Sequence, residues 1–137
     1  MSDVVSAHMR SLEANRLTDL QSDDRSVVKP WLGLRLGVTP PIPDLSAQGF
    51  TLVGSRVDYV LGKPVAAIAY RRNDHIVNLF IAQGDGAERD TRIRSMQGLN
   101  VELWSQGGLN LCVVGDLPSD QLQAVHDAFA ASAAANT

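Results

Sequence analysis

The stretch that most constrains this chain is Gln48 to Ala82, QGFTLVGSRVDYVLGKPVAAIAYRRNDHIVNLFIA. Three runs rich in Val, Ile, Tyr and Phe are separated by two short polar breaks, the pattern of consecutive β-strands. The first break, Leu61-Gly62-Lys63-Pro64, supplies a glycine for positive φ and a proline that cannot donate to a ladder. The second, Arg71 to Asp74, is charged and short enough for a hairpin, so the three runs predict an antiparallel meander. Alternation along the first run puts Leu52, Gly54, Arg56, Asp58 and Val60 on one face. Thr51, Val53, Ser55, Val57 and Tyr59 fall on the other, which is the better core face. Val65 to Tyr70 is almost continuously apolar, which predicts a central strand covered on both sides, and His75 to Ile81 follows as its partner.

The flanking sequence supplies the rest of the fold. Residues 3–21 carry Val5, Met9 and Leu12 at helical spacing on one narrow stripe, which predicts an N-terminal helix that docks weakly. After the Ser22-Asp23-Asp24-Arg25-Ser26 break, Val27 to Leu36 starts with a β-branched pair fixed by Pro30 and reads as an extended edge segment. Pro43 to Gly49 reads as a single helical turn, and residues 84–97, charged and glycine-containing, as a mobile loop. Leu99 to Gln106 and Leu109 to Val114 predict a second hairpin around Gly107-Gly108. Ser119 is an N-cap for a helix with Leu122, Val125 and Phe129 on one stripe, running to Ala134 and fraying beyond Ala130. The expected architecture is a single α+β domain. It has a five- to six-stranded, mainly antiparallel sheet with an N-terminal helix and a C-terminal helix packed on one face, the first at its margin or against a second copy.

Composition narrows the function classes. A length of 137 residues suits one domain, and a formal net charge of -3 gives no polycationic surface for nucleic-acid phosphates. The single cysteine, Cys112, excludes an intrachain disulfide and any zinc or iron–sulfur site built on cysteines of this chain alone; within an apolar run it reads as an inert small hydrophobe. No apolar run approaches the roughly 18–20 residues that span a bilayer, no signal peptide opens the sequence, and the chain reads as soluble. Met1-Ser2-Asp3 leading straight into a helix is compatible with a start added to an excised piece and with a natural alternative start. His8, His75 and His126 lack metal-ligand spacing, and Gly84 and Gly86 open no dinucleotide-binding helix. No catalytic constellation is present, so neither an enzyme nor a cofactor is expected. The cations Lys29, Arg56, Lys63, Arg71, Arg72 and Arg94 form an anion-binding patch if the strands bring them to one face; solvated strand ends and edge protection are the favoured reading.

Taken in order, a set of short motifs resembles the extracytoplasmic C-terminal region of bacterial transmembrane anti-sigma factors. They include His8-Met9-Arg10-Ser11-Leu12, Ser22-Asp23-Asp24-Arg25, Val28-Lys29-Pro30-Trp31, Pro43-Asp44-Leu45, Gln48-Gly49-Phe50, Tyr70-Arg71-Arg72, His75-Ile76-Val77-Asn78-Leu79-Phe80, Trp104-Ser105-Gln106-Gly107-Gly108 and Asp116-Leu117. The resemblance covers nearly the whole chain, and its most specific pieces are Val-Lys-Pro-Trp and the stretch from Tyr-Arg-Arg to Asn-Leu-Phe. It implies a periplasmic regulatory domain that transmits an envelope signal to an extracytoplasmic-function sigma factor. The sigma factor would be bound by a cytoplasmic domain outside this sequence, and zinc is expected only in that domain. The signal would be a periplasmic protein or a small molecule, and a homodimer through the N-terminal helix or an edge strand is compatible with the pattern. Ser26 stands where the family commonly has His, Ala82-Gln83 replaces a Trp-Pro type strand end, and Leu111-Cys112 stands where aromatics are usual. The first departure weakens any pH or metal sensing by that loop.

The candidate interaction surface comprises Arg25, Lys29, Trp31, Arg35, Arg56, Arg71, His75 and Trp104. Within it, residues 24–36 are expected to form the regulated edge, a template for a partner strand, with the alternative that Trp31 plugs the core and Lys29 is solvated. The rival function is a small-ligand carrier or small enzyme using Arg56, Arg71, His75 and Trp104 on one side of the sheet.

Overall fold

The computed structural model describes residues 2–12, 18–37, 39–60 and 62–135. In chain order the elements are α1 (Ser2–Ser11), β1 (Leu20–Gln21), α2 (Arg25–Leu36), a 3-10 turn (Ser46–Gln48), β2 (Thr51–Val60), β3 (Lys63–Arg72), β4 (His75–Gln83), β5 (Arg89–Met96), β6 (Leu99–Gln106), β7 (Leu109–Gly115) and α3 (Ser119–Ala135). The strands form one seven-stranded sheet in the order β1-β2-β3-β4-β7-β6-β5, antiparallel at every junction. The expected meander is β2-β3-β4, the expected second hairpin is β6-β7, and the two join where Phe80 of β4 pairs with Cys112 of β7.

Both faces are covered, as the unbroken apolar run of β3 requires. On one face Ala66, Ile68, Tyr70, Val77, Leu79, Ile81, Leu111 and Val113 meet Val28 and Leu32 of α2 and Leu122, Val125 and Phe129 of α3, with Ile42, Leu45 and Phe50 among them. On the other face Val65, Ala67, Phe80, Val101, Cys112 and Val114 lie beneath Val5 and Ala7 of α1. The two terminal helices therefore sit on opposite faces, not on one. α2, α3 and the 39–50 connection already occupy the first face, and the alternate residues of β3, β4 and β7 are equally apolar and need cover of their own.

Five further expectations are corrected. The segment read as an extended edge is helix α2. The Asp24 carboxylate accepts the Ser26 amide at 2.9 Å and caps it, Val28 and Leu32 lie one turn apart in the core, and Gly37 ends it at φ +76°. Pro30 falls on the exposed side of the second turn, where its missing N–H forfeits one intrahelical bond. The N-terminal helix stops at Ser11; residues 13–17 of its expected length lie outside the described residues, and Leu20–Gln21 form β1 against Ser55 and Gly54.

The expected loop over 84–97 contains β5, an edge strand that buries neither face and so carries no apolar alternation. β1 and β5 take the sheet beyond the expected five or six strands. In β2 a bulge between Leu52 and Gly54 breaks the alternation, so Leu52 and Val57 face α2 while Arg56 and Asp58 face α1. Gly54, at φ +154°, sits there because a Cβ would run into the Leu20 carbonyl oxygen of β1.

Candidate functional site

Asn78 lies in the middle of β4, fully buried between Ala69 of β3 and Val114 of β7, and a buried amide must find partners. It finds them beneath α1. Its Nδ2 donates to His8 Nδ1 at 2.9 Å, and its Oδ1 accepts from Arg56 Nη1 at 3.2 Å. Arg56, turned to this face by the β2 bulge, donates from Nη2 to the Ala7 carbonyl at 3.3 Å and to Asp58 Oδ2 at 3.2 Å. The other Asp58 oxygen pairs with Arg10 Nη2 at 3.3 Å. The network thus starts and ends on α1 and passes through β4 and β2. His8, Asn78 and Arg56 are 1%, 0% and 5% exposed, so the inner part of the network is out of water, while Arg10 at its outer end is half-exposed.

The electrostatics follow from that burial. His8 is held down to about 4, first by desolvation and then by the Arg56 guanidinium, with Asp116 opposing. At neutral pH its ring is uncharged and Nδ1 is free of a proton, as accepting from Asn78 requires. Burial also lowers Arg56, and Asp58 opposes it. Among the described side chains α1 contributes Val5 and Ala7 to the apolar cluster, and the polar network adds directional contacts that fix its position on the sheet.

Four of the expected surface residues lie together on α2. Arg25 Nη1 donates to the Ile42 carbonyl at 2.7 Å, tying the helix start to the following connection. The Arg35 guanidinium lies 3.9 Å from the centre of the Trp31 ring, and the half-buried Trp31 packs at the core margin. Lys29 is half-buried, and Leu34 is 86% exposed. This is a cationic helix with an apolar outer edge, not a strand template.

The other four do not converge. Arg56 is beneath α1, whereas Trp104 lies on the opposite face, its ring 4.1 Å from that of His126 on α3. Arg71 is exposed at the β3–β4 end of the sheet, and His75 pairs there with Asp116 at 2.8 Å. The ligand or catalytic face expected from Arg56, Arg71, His75 and Trp104 is therefore not assembled, because the sheet separates its parts.

Two features escaped the sequence reading. Asn78 and His8 were legible only as a polar residue inside an apolar strand and a histidine on a weak helix. The second feature joins Glu102 of β6 to His126 of α3, Oε1 to Nδ1, at 2.9 Å. Glu102 is buried, its Oε2 has no hydrogen-bond partner among the described residues, and burial raises its pKa against the pull of His126. The signal was a carboxylate between Val101 and Leu103, with His126 four residues after Leu122 on the apolar stripe of α3.

Burial pushes the Cys112 thiol up to about 12, so it stays protonated at neutral pH. Among the described residues no group of three or more His, Cys, Asp or Glu side chains is placed to hold a metal ion, and no helix is long and apolar enough to cross a membrane. Comparison with known protein families and with characterised proteins finds no match.

Proposed function

We propose that this region is the extracytoplasmic regulatory domain of a membrane-anchored anti-sigma factor, non-enzymatic, with α1 as the element that passes an envelope signal toward the membrane. One observation carries the reading. Motifs on which the resemblance rests, separated by 70 residues, meet at one place: His8 of His-Met-Arg-Ser-Leu and Asn78 of Asn-Leu-Phe bond beneath α1. A helix held on the sheet by a buried polar key serves as a two-state element that a modest differential binding energy, about 1–3 kcal/mol, can bias. The sigma factor is held by a domain outside this sequence, and the signal acts on the periplasmic side. The surface favoured for receiving it is α2, where Leu34 and Arg35 are exposed and Lys29 and Trp31 of the Val-Lys-Pro-Trp motif are partly exposed.

The test is made in the full-length protein, in cells carrying a reporter for the candidate sigma factor. Lys29→Ala is expected to leave melting within about 0.5 kcal/mol of wild type, as surface substitutions do, while changing reporter output. Unchanged output with Lys29→Ala, together with Trp31→Ala acting only through lost stability, removes α2 from the account. A full-length protein that binds no sigma factor at all removes the functional reading itself.

A further inference from the structure

We propose that the end of the sheet beneath the C-terminus of α2 binds a small amphiphilic carboxylate, its apolar tail in a slot between Leu36, Pro64, Ile81 and Leu109 and its carboxylate on Lys63. The slot has a volume of about 160 Å³ and is completed by Pro40, Ala82 and Gln83. Its walls come from five parts of the chain: α2, the connection after it, β3, β4 and β7. Pairing of Ala66 with Ile81 and of Gln83 with Leu109 sets Pro64, Ile81 and Leu109 at the strand ends below α2. α2 terminates at Gly37, and Leu36 and Leu109 are only partly buried at its end. The hydrocarbon there is lined up but not filled.

Size and charge select the ligand. An apolar cavity of about 150 Å³ holds a benzene ring, so this slot takes one aromatic ring or a chain of about six carbons. Lys63 stands at its rim, and among the described residues it makes no ion pair or side-chain hydrogen bond. An exposed ammonium beside an apolar slot favours an anion carrying a tail over a cation carrying the same tail. The inference does not depend on the regulatory reading, since binding is measured on this chain alone.

The experiment titrates the methyl-labelled chain with hexanoate, hexylamine and acetate and follows the Leu36, Ile81 and Leu109 methyl resonances. Hexanoate is expected to give saturable shifts concentrated on those methyls. Hexylamine should bind at least about threefold more weakly, the scale of an exposed ion pair, and acetate should not saturate. Lys63→Gln should remove the preference for hexanoate over hexylamine. Leu109→Trp, which fills the slot, should abolish binding of both, and Leu36→Trp serves the same purpose if that variant does not fold. The proposal is overturned by any of three results. These are no saturable shift at about 10 mM hexanoate, below which binding is worth over about 2.5 kcal/mol; equal affinity for hexylamine; or undiminished binding by a folded slot-filled variant.

Discussion

Replacing Arg56 by leucine is expected to cost the domain about 3–5 kcal/mol, the range for breaking a buried charge pair by removing one partner. Leucine roughly keeps the hydrocarbon stem but withdraws the donors to Asn78 Oδ1, to the Ala7 carbonyl and to Asp58. Those acceptors remain beneath α1, where water does not readily replace the guanidinium. Arg10→Ala is the comparison, because it removes the outer partner of the same aspartate from a half-exposed position and is expected to cost no more than about 1 kcal/mol. Chemical denaturation of both variants checks this. A loss below about 1 kcal/mol for Arg56→Leu would mean that the network is ornamental to the fold.

The second large effect is acid sensitivity carried by His8. Its ordinary value is 6.5 and its folded value about 4, so between those pH values the unfolded chain takes up a proton that the folded chain refuses. The contribution is fully present above 6.5 and is lost as pH falls from 6.5 through about 4. At 1.36 kcal/mol per pH unit the loss approaches about 3 kcal/mol. Glu102, raised by burial, acts in the opposite sense, its contribution being present at low pH and lost as pH rises. The comparison must therefore cancel it. His8→Gln keeps an acceptor for Asn78 and does not titrate, so the stability gap between wild type and this variant isolates the histidine. That gap is expected to move against wild type by up to about 3 kcal/mol between pH 7 and pH 4. A gap independent of pH would show that His8 is not held neutral by the α1 seat.

The parts of the fold that could be read from sequence are those with local signatures. The meander, the Gly107-Gly108 hairpin and the Ser119 helix each combine a periodicity with a turn or cap residue, and each appears where expected. α2 was obscured because Val27-Val28 and Pro30 argue for extended chain, while the Asp24 cap and the Val28, Leu32, Leu36 spacing argue for helix. Burial of Val28 and Leu32 against the sheet decided it, and that is a tertiary term. β5 was obscured for the opposite reason: its ladder to β6 makes it a strand, with no buried face to announce it.

At the candidate site Arg56 falls on the face opposite Leu52 because of the Leu52/Gly54 bulge, which alternation alone does not reveal. Its partners come from α1, nearly 50 residues earlier, and from Asn78, 22 residues later. Of the expected interaction residues, α2 collects Arg25, Lys29, Trp31 and Arg35 because they fall within one helix of 12 residues. Arg71 and His75 fall together at a strand end without joining Arg56 or Trp104.

The proposed role requires α1 to be a separately releasable element, held on the sheet by the His8–Asn78–Arg56–Asp58 network. Amide hydrogen exchange resolved residue by residue tests it most directly. The α1 amides of Val5 to Arg10 are expected to exchange through a local opening about 2–4 kcal/mol below the free energy that protects Ile68 of β3 and Leu79 of β4. Lowering the pH from 7 to 5 should lower the α1 opening free energy and the global unfolding free energy together through His8, leaving the separation close to its value at pH 7. Protection of α1 equal to that of Ile68 and Leu79 at both pH values would contradict the account, because the helix would then open only when the whole sheet unfolds.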